Sequence, residues 1–134
     1  MKLATVTRKI ESLQLNEKVY QCDPSTPIHD AIEVMKKQNI GSIVVTERAS
    51  ILGIFTERDY VQKIAGRESE RWSEAISNHM TENPICVKQE EPIATAILQM
   101  RLGQFRHIVV TDEANQLVGV LSVKDILDFL VDED

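Results

Sequence analysis

With 134 residues, 43% hydrophobic and 27% charged, the chain has the composition of a globular protein and can bury roughly two thirds of its unfolded surface, as one domain or two intertwined halves. A net charge of −6 and an isoelectric point near 5.1 argue against nucleic acid or an anionic membrane as the main partner, so an anionic ligand has to meet a local basic pocket. No apolar run approaches the roughly 20 residues of a membrane span, and two cysteines without a CxxC pair and three scattered histidines offer neither a disulfide framework nor metal-ligand spacing.

In chain order, the opening "MKLATVTRKIESLQL" lacks the uninterrupted apolar core of a signal peptide, which points to a cytoplasmic protein in which Cys22 and Cys86 are buried thiols. Within residues 1–18, Leu3, Val6, Ile10 and Leu13 form a helical stripe with one apolar face to bury, against the domain or a second subunit. Residues 19–65 then read as a strand ("VYQC"), a helix opened by Pro27 with the stripe Ile28, Ala31, Ile32 and Met35, a strand ("SIVV"), a turn, a strand ("ILGIF") and a helix from Thr56 to about Ile64. Residues 66–79 are a polar linker with a short helix around Trp72 to Met80, in which Trp72 anchors the linker to an apolar surface.

Residues 80–134 repeat the first pattern. "PIATAILQMRLGQFRHIVVT" lies over "PIHDAIEVMKKQNIGSIVVT" at a shift of 65, with nine of twenty positions identical. One inserted residue moves the shift to 66, after which "GVLSVKD" matches "GIFTERD". The elements follow suit: "PICV", a stripe of Ile93, Ala96, Ile97 and Met100, "HIVV", "LVGVL", and a helix from Ser122 to about Leu130 before an acidic, solvated "DFLVDED". Met35, Met80 and Met100 are core residues in this reading. The order is strand, helix, strand, strand, helix, twice; the chain is a duplication.

Each heptapeptide sets a hydroxyl (Thr56, Ser122) three residues ahead of an aspartate (Asp59, Asp125) at a strand-to-helix junction. One reading is a capping box, with the acid favoured by the helix dipole. The other is a nucleotide site: helix N–H groups suit a phosphate, Gly53 and Gly119 allow close approach, and Arg58, Lys124, Arg106 and His107 stand near the junctions. A carboxylate that accepts from vicinal ribose hydroxyls, beside a hydroxyl and a cation, has nucleotide-binding chemistry. Ser122 with His107 lacks a third orienting group, and the chain supplies no metal site and no paired acid and base, so it reads as a non-enzyme.

"GIFTERD" and "GVLSVKD", "FRHIVV" and "HMTENPICV", duplicated in one chain, resemble a tandem pair of CBS domains (a Bateman module) from about Val19 to Leu130, most closely the short stand-alone bacterial proteins of that kind. The resemblance implies an α+β fold of two β-α-β-β-α repeats related by a pseudo-twofold axis, with clefts for adenosine ligands such as AMP, ATP, NAD(H) or S-adenosylmethionine and no catalytic cofactor. Carried over residue by residue, it implies Tyr20, Gln21, Cys22, Gly41, Ser42, Ile43, Thr56, Arg58 and Asp59 at one site. At the other it implies Ile85, Cys86, Val87, Arg106, His107, Ile108, Ser122, Lys124 and Asp125. Gly41 and Ser42 depart from the Arg-His pair of the family's pattern. The implied partners are an adenosine-containing small molecule, a second copy in a homodimer that covers apolar helix faces, and a regulated protein. The alternative is a protein–protein interaction or scaffold module without a ligand, its two motifs kept as helix caps.

Overall fold

The structure is a computed structural model that describes residues 3–15 and 19–133. It resolves into two compact units, Tyr20–Pro84 and, separately, Ile85–Asp134 together with Met1–Val19. Each is a sheet with helices packed on it, so the fold is α+β.

In the first unit, β1 (Gln21–Cys22) runs parallel to β2 (Ser42–Glu47), and β2 pairs antiparallel with β3 (Ser50–Thr56). α2 (Ile28–Gln38) crosses between β1 and β2, while α1 (Leu3–Val6) belongs to the other unit. Pro27 stands one place ahead of the first helical residue, at φ −63° and ψ 146°, and presets the turn into α2. At the other end Asn39 takes the left-handed conformation, φ 54°, and the Ile40 N–H closes onto the Met35 carbonyl at 3.0 Å. Arg48 and Ala49, both at positive φ, make the tight turn between β2 and β3. α3 (Glu57–Asp59) follows β3 directly and continues as a π-helical turn, Tyr60–Ile64. The linker adds α4 (Glu68–Arg71), a 3₁₀ turn at Ile76–Asn78 and β4 (Thr81–Glu82), which pairs with Gly53 and Ile54 of β3.

The second unit repeats the plan with β5 (Cys86–Lys88), α5 (Ile93–Gly103), β6 (His107–Thr111), β7 (Leu117–Ser122) and α6 (Val123–Glu133). Gln104 closes α5 in the left-handed conformation as Asn39 closes α2. A one-residue slip in pairing falls at Val45/Thr46 in one sheet and Val110/Thr111 in the other, so even the irregularity is duplicated.

Each core is completed by a segment lying ahead of the other copy in sequence. Ile76, fully buried, packs with Ile28, Met35 and Phe55, and its N–H reaches the Thr26 carbonyl at 2.7 Å while Ile28 N–H reaches Glu74 at 2.9 Å. Ile10, fully buried, packs with Ile93, Met100 and Leu121; its N–H reaches Glu91 and Ile93 N–H reaches Arg8, both at 2.9 Å. The amino-terminal stripe therefore does bury a face, but as two short pieces, α1 and a 3₁₀ turn at Ile10–Leu13, with Val6 and Leu13 half-buried and the Leu3 side chain outside the described residues.

Several expectations change. The linker carries two short helical pieces, Glu68–Arg71 ahead of the expected span and the 3₁₀ turn Ile76–Asn78 within it, and the half-buried ring of Trp72 packs on the first core 6.3 Å from His29. "HMTENPICV" is split: Thr81–Glu82 joins the first sheet and Cys86–Lys88 the second. Ile97 is 36% exposed, because the face of α5 that meets the sheet is Ile93, Ala96 and Met100. The end of the chain is helical to Glu133, since Ile126, Phe129 and Leu130 recur at helical spacing and pack on the second core. Cys86 is exposed and Cys22 half-buried.

Equivalence of the two closing segments has a direct consequence. Ile10→Ala and Ile76→Ala should each cost about 2–5 kcal/mol in urea unfolding; an Ile10→Ala protein as stable as the parent would show that the amino-terminal segment does not complete a core.

Candidate functional site

Strand register gathers the motif residues at one end of each sheet. Gln21 lies beside Val44, and Ser42 lies opposite Thr56, so the start of β1, the start of β2 and the end of β3 share an edge. In the second sheet Cys86 lies beside Val109 and His107 opposite Ser122. The residue that opens each middle strand thus faces the motif hydroxyl across one ladder rung. The residue before it holds the helix start: Glu57 N–H donates to the Gly41 carbonyl and Val123 N–H to the Arg106 carbonyl, both at 3.0 Å.

Both heptapeptides form capping boxes. Asp59 N–H donates to Thr56 Oγ1 at 3.3 Å while Thr56 N–H donates to Asp59 Oδ2 at 3.0 Å; the corresponding distances at Ser122 and Asp125 are 3.0 and 2.9 Å. This alters the phosphate reading of the helix starts. The first N–H of each helix goes to the carbonyl just ahead of the middle strand and the third to the cap hydroxyl, so two of the donors expected to await an anion are engaged.

The two carboxylates differ. Asp59, with a side chain 7% exposed, also accepts from Lys63 Nζ at 3.0 Å and from Thr81 Oγ1 at 3.2 Å, both on Oδ1. Asp125 is half-buried, and its Oδ1 receives no hydrogen bond from the described residues.

The remaining candidates divide by burial. Ile43, Val87 and Ile108 are core residues, 2%, 3% and 1% exposed, so only their backbone is available to a ligand. Tyr20 and Cys22 pack half-buried on the first core, with the Tyr20 hydroxyl donating to Gln38 at 2.8 Å. Burial holds the Cys22 thiol above its ordinary pKa; a hydrogen bond with Thr26 works the other way, and the charge of Asp23 adds to the rise. Gln21 is exposed and accepts from the Thr46 hydroxyl, while Ile85 and Cys86 are exposed at the matching place in the second unit. Gly41 and Ser42 are half-buried, as is His107; Arg58 and Arg106 are exposed. Lys124, expected at the site, instead reaches along α6 to Asp128 at 2.8 Å, and that bond raises its pKa. Lys63 and Thr81 were not among the expected site residues. Lys63 was detectable in principle, being one helical turn after Asp59. Thr81 was not, because its proximity depends on β4 pairing with β3. Among the described residues no group of three or more His, Cys, Asp or Glu side chains is placed to hold a metal ion, and no helix is long and apolar enough to cross a membrane.

Residues 10–66 and 74–132 each match the CBS domain family. A 17.7 kDa protein of Acidianus ambivalens is 30% identical over 86% of this chain and 69% of its own length. An arabinose 5-phosphate isomerase of Francisella tularensis is also 30% identical, over 78% of this chain, which spans only 32% of that enzyme. Among solved structures, a CBS-domain-containing protein of Agrobacterium tumefaciens superposes with a TM-score of 0.83 at 26% identity, over 97% of this chain and 98% of that one. A CBS domain protein of Pyrobaculum aerophilum, complexed with AMP, does so with a TM-score of 0.79 at 24% identity, over 92% and 98%.

Proposed function

We propose that this chain, which belongs to the CBS domain family, is a regulatory module that binds an adenosine-containing ligand and carries out no chemistry of its own. The observation that carries the reading is the second sheet's edge, where His107 lies opposite Ser122 and Asp125 follows one turn on with an oxygen not engaged by the described residues. An ionised carboxylate only accepts hydrogen bonds, so it matches the paired hydroxyls of a ribose. Arg106, exposed immediately before β6, is the cation best placed in sequence for a phosphate, since Lys124 is held by Asp128. The AMP complex of the similarly folded Pyrobaculum protein supports an adenosine ligand. Ser122 Oγ is engaged as a helix cap rather than poised as a nucleophile.

The same reading makes the protein a homodimer in the cytoplasm that regulates another protein. Leu98, Leu102, Leu127 and Val131 are 50%, 70%, 56% and 73% exposed on α5 and α6, more apolar side chain than a helix surface leaves in water without a partner. α2 presents Glu33, Lys36 and Lys37 to solvent, so the burden of association falls on the second unit's helices.

AMP at 100 times its Kd should stabilise the protein by about 2.7 kcal/mol, read as a rise in Tm. Asp125→Ala should weaken binding by about tenfold to a hundredfold, the worth of one or two charge-assisted hydrogen bonds. If AMP, ATP, NADH and S-adenosylmethionine all leave the Tm unmoved, the module is a scaffold instead. Sedimentation at micromolar concentration should give twice the 15.2 kDa chain mass; a species of the single chain mass would contradict the dimer.

A further inference from the structure

We propose that the chain takes one adenosine ligand, at the second copy of the motif, because Lys63 and Thr81 close the first copy's carboxylate; this rests on the adenosine-ligand reading above. A carboxylate offers about four lone-pair directions. At Asp59 four donors meet them: Thr56 N–H at 3.0 Å and Thr56 Oγ1 at 3.2 Å on Oδ2, Lys63 Nζ at 3.0 Å and Thr81 Oγ1 at 3.2 Å on Oδ1. Two ribose hydroxyls would have to displace two of these donors from a side chain that is 7% exposed.

The closing groups are themselves held. Lys63 Nζ also donates to the His79 carbonyl at 2.8 Å, so its ammonium bridges the helix and the linker. Thr81 is fixed by pairing with Ile54, and that pairing is close: a Cβ on Gly53 would stand 2.5 Å from Met80 Sδ and 2.8 Å from the Thr81 carbonyl oxygen. Gly53 is therefore needed so that β4 can carry the Thr81 hydroxyl to Asp59.

Among the described residues the second copy has neither closing group. Phe129 occupies the place of Lys63 at the repeat shift of 66, and it packs on the second core. Leu15 lies against Gly119 where Met80 and Thr81 lie against Gly53. Neither side chain has a donor. Asp125 keeps its cap bond and an oxygen that no described residue engages.

Titration calorimetry with AMP should give one ligand per chain. Asp125→Asn should weaken that binding by about tenfold to a hundredfold, leaving no second site of parental affinity behind, and adding Lys63→Met with Thr81→Val to that variant should restore a saturable site of near-parental affinity at the first copy. Two sites in the parent, or full-affinity binding retained by Asp125→Asn, would overturn the inference; so would failure of the added pair to restore binding in a folded protein. A ligand-independent arm tests the closure itself. Lys63→Met should lower the Tm by several degrees, about 3–8 °C, whereas Lys36→Met, whose partner Glu33 is as exposed as itself, should not; equal melting of the two variants would overturn it. If the parent binds none of AMP, ATP, NADH and S-adenosylmethionine, the adenosine reading fails along with the stoichiometry, while the melting comparison still decides whether Asp59 is closed.

Discussion

The reciprocal bond between a hydroxyl and a carboxylate three residues on is the interaction from which the rest of the arrangement follows. It turns each chain reversal from β3 to α3, and from β7 to α6, into a fixed corner, because the cap hydroxyl takes the third helical N–H and the acid takes the N–H of the cap. That corner is required whether or not a ligand binds. What a capping carboxylate can do besides capping is set by how many of its lone pairs remain, and this is decided by residues outside the motif. Lys63 and Thr81 fill them in one unit; in the other, no described residue engages Asp125 beyond the cap bond.

Much of this was legible in the sequence because duplication doubles every local signal. Two prolines, two Ile-Ala-Met stripes and two Ile-Val-Val-Thr runs at one spacing placed α2, α5, β2 and β6, and the family resemblance drawn from the paired heptapeptides is borne out by the match over both halves. Periodicity also found that an amino-terminal face must be buried. It could not say where, since the segment is placed by bonds from Ile10 N–H to the Glu91 carbonyl and from Ile93 N–H to the Arg8 carbonyl, across more than eighty residues of chain. The same blindness hid β4, whose two residues carry no strand pattern and exist as a strand only because Gly53 leaves room beside β3.

Period alone also misjudged side chains at the margin. Ile97 fits the stripe of Ile93, Ala96 and Met100, but only those three join the second core and Ile97 is left at its margin. "DFLVDED" looked like a solvated tail from its charges, yet Phe129 and Leu130 continue the spacing set by Ile126 and hold the helix on the core. In both cases net polarity was the weaker guide and position relative to the sheet the stronger. Lys124 teaches a related point about cations near a motif. Its neighbour in sequence is Asp125, but one turn of α6 brings it Asp128, whose carboxylate it meets at 2.8 Å.

An account in which the two motifs share one backbone geometry but differ in carboxylate availability is tested most directly by residue-resolved amide NMR during an AMP titration. The account predicts saturable shifts at Arg106 to Ile108 and Ser122 to Asp125, with Ser42, Thr56 to Asp59 and Thr81 left in place. Equal, saturable shifts at both sets of amides, or shifts confined to the first set, would contradict it.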